Sequence, residues 1–156
     1  MLFLCATNSI HSPMAEALLR LIDSRNFDAF SAGVTRQDVH PLSREVMKEI
    51  GIDLDHKVTK IVDDLREETF DFIITLDEVA ASHKGSPAAG EIVHWKFDNL
   101  VALSADREIQ RRTFRSVRDQ IAQRLRLFAI VNVRPSVPGE RTHLVAGRTN
   151  PAIHAS

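Results

Sequence analysis

The sequence predicts an α/β fold in which a parallel sheet is covered by helices on both faces. Three observations carry this. Short apolar runs alternate with helix-spaced stretches over the first 130 residues. The run FDFIITL, 70–76, is β-branched and apolar without strict alternation, as a strand buried on both faces must be. The single cysteine, Cys5, ends the first apolar run and opens a loop of small residues before a helix. Ligands of open α/β sheets gather at that kind of place, beyond the carboxyl ends of the strands.

Each element follows in order. MLFLC, 1–5, reads as a short, fully buried strand. Ser12 suits an N-cap and Pro13 the first helical position, so Met14, Leu18, Leu21 and Ile22 place an amphipathic helix over roughly 13–25. FDAFSAG, 27–33, reads as a second strand ending in a glycine turn. PLSREVMKEIG, 41–51, is a helix opened by Pro41 and stopped by Gly51. VTKIVDDLREE, 58–68, reads as a short helix. The strand 70–76 follows, then a short helix over 77–84 and a fourth strand at EIVHW, 91–95. Residues 104–130 form a long helix with Ile109, Phe114, Val117, Ile121, Leu125 and Phe128 on one side.

Composition bounds the function. The 156 residues carry a formal charge of −1, so nothing pulls the chain toward nucleic acid or an anionic membrane. One cysteine excludes an internal disulfide, a cysteine-rich zinc site and a CxxC redox pair. The seven histidines show no HxxxH or HxH spacing, so neither a metal nor a cofactor is expected. The apolar start is too short for a signal peptide, and a cytoplasmic protein is expected. The last stretch, rich in proline, glycine and arginine, lacks periodicity. The expected division is a domain over 1–131 and a tail or arm over 132–156. On the long helix Arg107, Arg111, Arg112, Arg115 and Arg118 form a stripe. A solvated face is the first reading and an acidic partner the second.

The cysteine loop carries the chemistry. A loop between a strand and a helix N-terminus turns its N–H groups inward and makes an anion site. A cysteine at its edge is expected to be held partly as thiolate, the nucleophilic form. Beside a bound phosphate such a thiolate can attack phosphorus and form a phosphocysteine.

The run Cys5-Ala6-Thr7-Asn8-Ser9-Ile10-His11-Ser12-Pro13-Met14-Ala15-Glu16 resembles the loop of the low-molecular-weight protein tyrosine phosphatases and their relatives, the thioredoxin-coupled arsenate reductases. The likeness continues through Ser31-Ala32-Gly33, His40-Pro41, Gly51-Ile52-Asp53, Phe70-Asp71, Thr75-Leu76-Asp77 and His94-Trp95, over roughly residues 1–130. It implies a three-layer sandwich with a four-stranded parallel sheet. It implies phosphomonoester hydrolysis through Cys5, and a phosphate or phosphorylated ligand, phosphoproteins among them. The loop residues 6–10 and Ser12 would cradle the phosphate, with Asn8 and Ser9 as struts and Ser12 donating to the thiolate. Trp95 and Phe97 either wall an aromatic phosphoester pocket or pack into the core.

Three departures qualify the resemblance. The family's phosphate-gripping arginine falls on His11, which offers one donor rather than a charged fork. If His11 grips the anion, affinity should rise as pH falls through the histidine range. The family's acidic aspartate falls on Asn99, followed by Leu100, which leaves Asp98 as the only adjacent substitute. The extra cysteines of the arsenate reductases fall on Asp77 and about Lys84, so relay-type reduction is not expected. Losing a general acid costs about 10²–10⁴ in rate. Losing an electrostatic clamp costs roughly 10²–10³. Two readings therefore stay open: a weakened phosphatase and a catalytically degenerate module that binds an oxyanion or a partner.

Overall fold

The computed structural model describes residues 1–100 and 105–133. Four parallel strands form one sheet in the order β2-β1-β3-β4: β1 (Leu2–Cys5), β2 (Phe30–Gly33), β3 (Thr69–Thr75) and β4 (Ala88–His94). Leu2 pairs with Phe30 on one side and Ile73 on the other, which makes β1 a central strand. Its side chains alternate between two cores. Phe3 and Cys5 join the larger cluster, beneath α1 (His11–Asp23), α2 (Pro41–Lys48) and α4 (Arg107–Asn132). Leu2 and Leu4 join a smaller one with Val62, Leu65, Phe70 and Ile73 on the opposite face. The short α3 (Glu78–Ser82) adds Ala80 there. Burial on both faces is why β1 reads as continuous apolar sequence.

The chain passes to β2 on one side of β1 and to β3 on the other. The carboxyl ends of β1 and β3 therefore flank the point where strand order reverses. Cys5 stands at that end of β1.

Several boundaries differ from expectation for identifiable reasons. Helix α1 begins at His11, not Pro13, and Ile10 caps it without a side-chain bond. Ser12 is not the cap, because its hydroxyl is engaged inside the loop. Strand β2 starts only at Phe30, where register with Leu2 begins. The helix expected over 58–68 shrinks to one 3-10 turn, Val62–Leu65. Upstream of it, Ile61 bridges to Gly33, and the amide of Gly33 donates to the Lys60 carbonyl at 2.8 Å. That segment is strapped in extended form to the sheet, and tertiary contact overrides its helical pattern. Helix α2 stops at Lys48, with the stop residue Gly51 at φ 81°. Strand β4 starts three residues early, at Ala88, because pairing with Thr69 and Phe70 recruits the small residues there.

Helix α4 buries Phe114, Val117, Ile121 and Leu125, whereas Ile109 is exposed. The arginine stripe divides: Arg107 and Arg112 stay exposed, as a solvated face, while its other members reach α2. Arg115 and Arg118 pair with Glu49 at 2.6 and 3.2 Å, and Arg111 with Glu45 at 2.7 Å. Arg118, buried, also donates to the Val46 carbonyl at 2.6 Å. The stripe fastens α4 to the end of α2. Helix α4 runs through Asn132, so the expected boundary at 131 falls inside it, and 134–156 of the expected arm lie outside the described residues. Among the described residues no helix is long and apolar enough to cross a membrane.

Candidate active site

The loop 6–10 is shaped from outside. The amides of Val34, Thr35, Gln37 and His40 donate to the carbonyls of Cys5, Ala6, Thr7 and Ser9 at 2.9–3.1 Å. A trans peptide sets the next N–H opposite its carbonyl, and no peptide here is cis. The N–H groups of Ala6, Thr7, Asn8 and Ile10 are thereby turned away from the 34–40 segment. The first turn of α1 adds donors that no side chain caps and no acidic residue opposes. Backbone donors clustered at a helix N-terminus are the arrangement that anion sites use.

Two residues let the chain take this path. Asn8 sits at φ 54°, in the left-handed region that asparagine tolerates better than most residues. Gly33 lies flat beneath the loop: a Cβ there would come within 2.5 Å of the Asn8 nitrogen and 2.2 Å of the Thr35 oxygen. Only glycine permits that approach.

Behind the loop runs a buried polar chain. Cys5 Sγ lies 2.9 Å from Ser12 Oγ. Asn8 Nδ2 donates to Ser12 Oγ at 2.9 Å and to Ser31 Oγ at 3.0 Å, and Asn8 Oδ1 accepts the Lys60 amide at 2.8 Å. Ser31 donates in turn to Glu16, which is buried and also pairs with Lys57 and, at 2.7 Å, with Arg20. Because Asn8 already donates to Ser12 Oγ, the serine's own hydrogen is shared between the sulfur at 2.9 Å and the Ala32 carbonyl at 3.4 Å. Ser9 Oγ donates to the Asp38 carbonyl at 2.8 Å. Asn8 and Ser9 brace the loop from opposite sides. Glu16, Ser31 and Lys57 were not among the residues sequence reasoning selected. Ser31 and Glu16 lie within the stretches that carry the family likeness, which was the available signal.

His11 is placed differently from an anion clamp. Its ring is buried, and its Nε2 lies 3.1 Å from the Asp98 backbone carbonyl. Burial pulls the imidazole below its ordinary range, against opposing pushes from Asp77 and the Asp98 carbonyl. The neutral ring that donates from Nε2 to a carbonyl has only a lone pair on Nδ1. In this state it has no N–H for an anion. Affinity gained through protonation of His11 is accordingly displaced to below the usual histidine range.

Residues 95–100 pass over His11. Phe97 is buried and stacks on the His11 ring, with centroids 6.1 Å apart. Trp95 meets Phe97 and Phe128 edge-on, and Arg124 lies over the rings of Trp95 and Phe97 at 5.7 and 5.2 Å. Both aromatics belong to the packing between this loop and α4. Asp98 and Asn99 are exposed; the Asp98 backbone carbonyl bonds His11, and its carboxylate charge adds a smaller push on the ring.

A further carboxylate does reach the loop. Asp77, just past β3, accepts the Ala6 amide on Oδ2 at 2.7 Å and caps α3 through Oδ1, which accepts the Ala80 amide at 2.9 Å. Among the described residues, no group of three histidine, cysteine or acidic side chains is arranged to hold a metal ion.

Comparison with known proteins matches the chain to a family. The profile of the low molecular weight phosphotyrosine protein phosphatases matches residues 1–136. An arsenate reductase of Halalkalibacterium halodurans is 35% identical over 128 residues, covering 81% of this chain and 92% of its own. Among solved structures, an arsenate reductase in the phosphate binding state superposes with a TM-score of 0.65 at 22% identity, over 83% of this chain and 95% of that one. A YwlE arginine phosphatase variant with a phosphorylated active-site serine superposes at 0.63 and 22% identity, over 83% and 93%. At that identity the two structures speak for the fold.

Proposed function

The chain belongs to the low molecular weight phosphotyrosine protein phosphatase family, and from that premise we propose that it hydrolyses phosphomonoesters slowly through a phosphocysteine on Cys5. The observation that carries this is the contact of Cys5 Sγ with Ser12 Oγ at 2.9 Å, at the floor of the amide nest.

The steps follow from the groups present. The nest and the first turn of α1 hold the phosphoryl oxygens. The Ser12 hydroxyl donates to the thiolate and aims it. Sulfur attacks phosphorus, and the bond from phosphorus to the ester oxygen breaks. The departing oxygen takes a proton from water or from the protonated form of Asp98, whose exposed side chain is adjacent to Asn99. Water then attacks phosphorus, the S–P bond breaks, and inorganic phosphate leaves with the thiolate restored. With Asn99 in the acid's place, the rate must depend steeply on the leaving group. Aryl phosphates with acidic phenols should react far faster than alkyl phosphates.

Relatives named arsenate reductase raise a different chemistry for this chain. Its single cysteine provides no second thiol for an internal disulfide relay, so that reading is not adopted. A second reading has a specific observation behind it. The engagement of His11 Nε2 with Asp98 removes the clamp, and the loop would then serve as an oxyanion-binding module. The two readings separate in one assay. Hydrolysis of p-nitrophenyl phosphate is expected above background with the natural chain and at background with Cys5→Ser. Equal rates for the two proteins would leave only the binding module.

A further inference from the structure

We infer that Asp77 is a specificity-determining residue of the cradle, biasing it against doubly charged oxyanions and toward singly charged ones. The inference rests on the reading of loop 6–12 as an oxyanion site.

Its position is set by the sheet. Leu4 and Thr75 are partners in the β1–β3 ladder. Ala6 and Asp77 therefore leave the ends of neighbouring strands together, on either side of the crevice. The Cys5 and Ala6 carbonyls are taken on the outer side by Val34 and Thr35. The Ala6 N–H faces the other way, and the Asp77 carboxylate meets it there at 2.7 Å. The carboxylate thus stands on the amide face of the loop, where an incoming anion must approach.

Among the described residues no cationic side chain pairs with Asp77. Its two hydrogen-bond partners, the amides of Ala6 and Ala80, are uncharged. Both oxygens are held, so the half-buried side chain cannot swing away without giving up both bonds. Its charge is felt by the His11 ring, at the far end of the same loop. His11, at the position of the family's permanent cation, is desolvated and bonded to Asp98. The other buried carboxylate, Glu16, is matched by Arg20 and Lys57 and lies behind the loop. Coulomb repulsion scales with ligand charge, so a dianion loses twice as much binding free energy to Asp77 as a monoanion. Asp77 thus both occupies the Ala6 donor and sets a negative charge at the rim of the cradle, one that no cation among the described residues pairs with.

The test compares sulfate with methyl sulfate, one doubly and one singly charged, binding to the full chain at pH 7 and fixed ionic strength, followed by calorimetry. Asp77→Asn removes the charge and keeps one acceptor oxygen, enough for the cap of α3 on Ala80, while the Ala6 amide loses its partner. It should tighten sulfate about ten-fold and methyl sulfate about three-fold. Asp77→Ser, another capping residue without charge, should shift the ratio in the same direction and secures the test if the asparagine variant folds poorly. An identical factor for both anions in either folded variant would overturn the inference and leave Asp77 as a helix cap, with the oxyanion site intact. No binding of either anion to any of the proteins would overturn the oxyanion reading and this inference with it.

Discussion

His11 is the residue whose chemistry changes most between sequence and structure. Its type suggests a replacement clamp; its geometry makes it a buried, neutral ring stacked on Phe97. The consequence for stability has a definite sign. Burial lowers the folded value below the ordinary one of about 6.5. As pH falls, the unfolded chain binds the proton first. The contribution of the neutral ring is therefore full above the ordinary histidine range and is lost as pH drops below it toward the folded value. His40, also lowered by burial, adds the same trend, since its Nδ1 must stay unprotonated to accept the Leu42 amide. The unfolding midpoint should fall between pH 7.5 and 5.5, and His11→Gln should flatten that fall without abolishing it. Parallel curves for the two proteins would show that His11 is not desolvated. Restoration tests the lost catalytic groups. His11→Arg with Asn99→Asp should accelerate aryl phosphate hydrolysis at least about 10²-fold, the worth of either lost term. The two changes should be more than additive, because they serve one transition state. A folded double variant no faster than the natural chain would mean that the site has drifted beyond these two positions.

Among elements, the strand–loop–helix unit at the amino end was the most legible. Cys5 and the small residues after it fixed the loop, and the apolar residues of α1 fixed its buried face. The start of α1 was less legible, because Ser12 resembles a cap in sequence but spends its hydroxyl on Cys5 and Asn8. The segment 58–61 was illegible for a related reason. Its form is dictated by Gly33 and Asn8, which are distant in sequence. The role of Gly33 itself is close approach to the loop rather than an ordinary turn. Gly33→Ala should therefore damage the site more than the sheet. Overpacking of this kind costs about 1–3 kcal/mol. Thermal denaturation should show a lowered midpoint, and sulfate binding should weaken disproportionately. A variant with unchanged sulfate affinity would show that the loop does not depend on contact with Gly33.

At the scale of the whole molecule, the alternation of strands and helices was enough to foresee a parallel sheet with helices on both faces. The sheet order then brings together the ends of β1 and β3, and with them Cys5 and Asp77, 72 residues apart in sequence. Sequence spacing cannot reveal that pairing. Asp77 stood out only as the place of an absent cysteine, and its contact with Ala6 depends on the register of two strands. The pairing of Arg111, Arg115 and Arg118 could not be read from the sequence because their partners, Glu45 and Glu49, lie on and at the end of another helix. The proposed function comes down to one chemical event, transfer of a phosphoryl group to the sulfur of Cys5. Intact mass spectrometry after rapid acid quench of the chain with p-nitrophenyl phosphate observes that event directly. A phosphoryl adduct should form on the natural protein, map to Cys5, and be absent from Cys5→Ala. Hydrolysis without a cysteine adduct, or an adduct that survives in Cys5→Ala, would contradict the assignment of Cys5 as nucleophile.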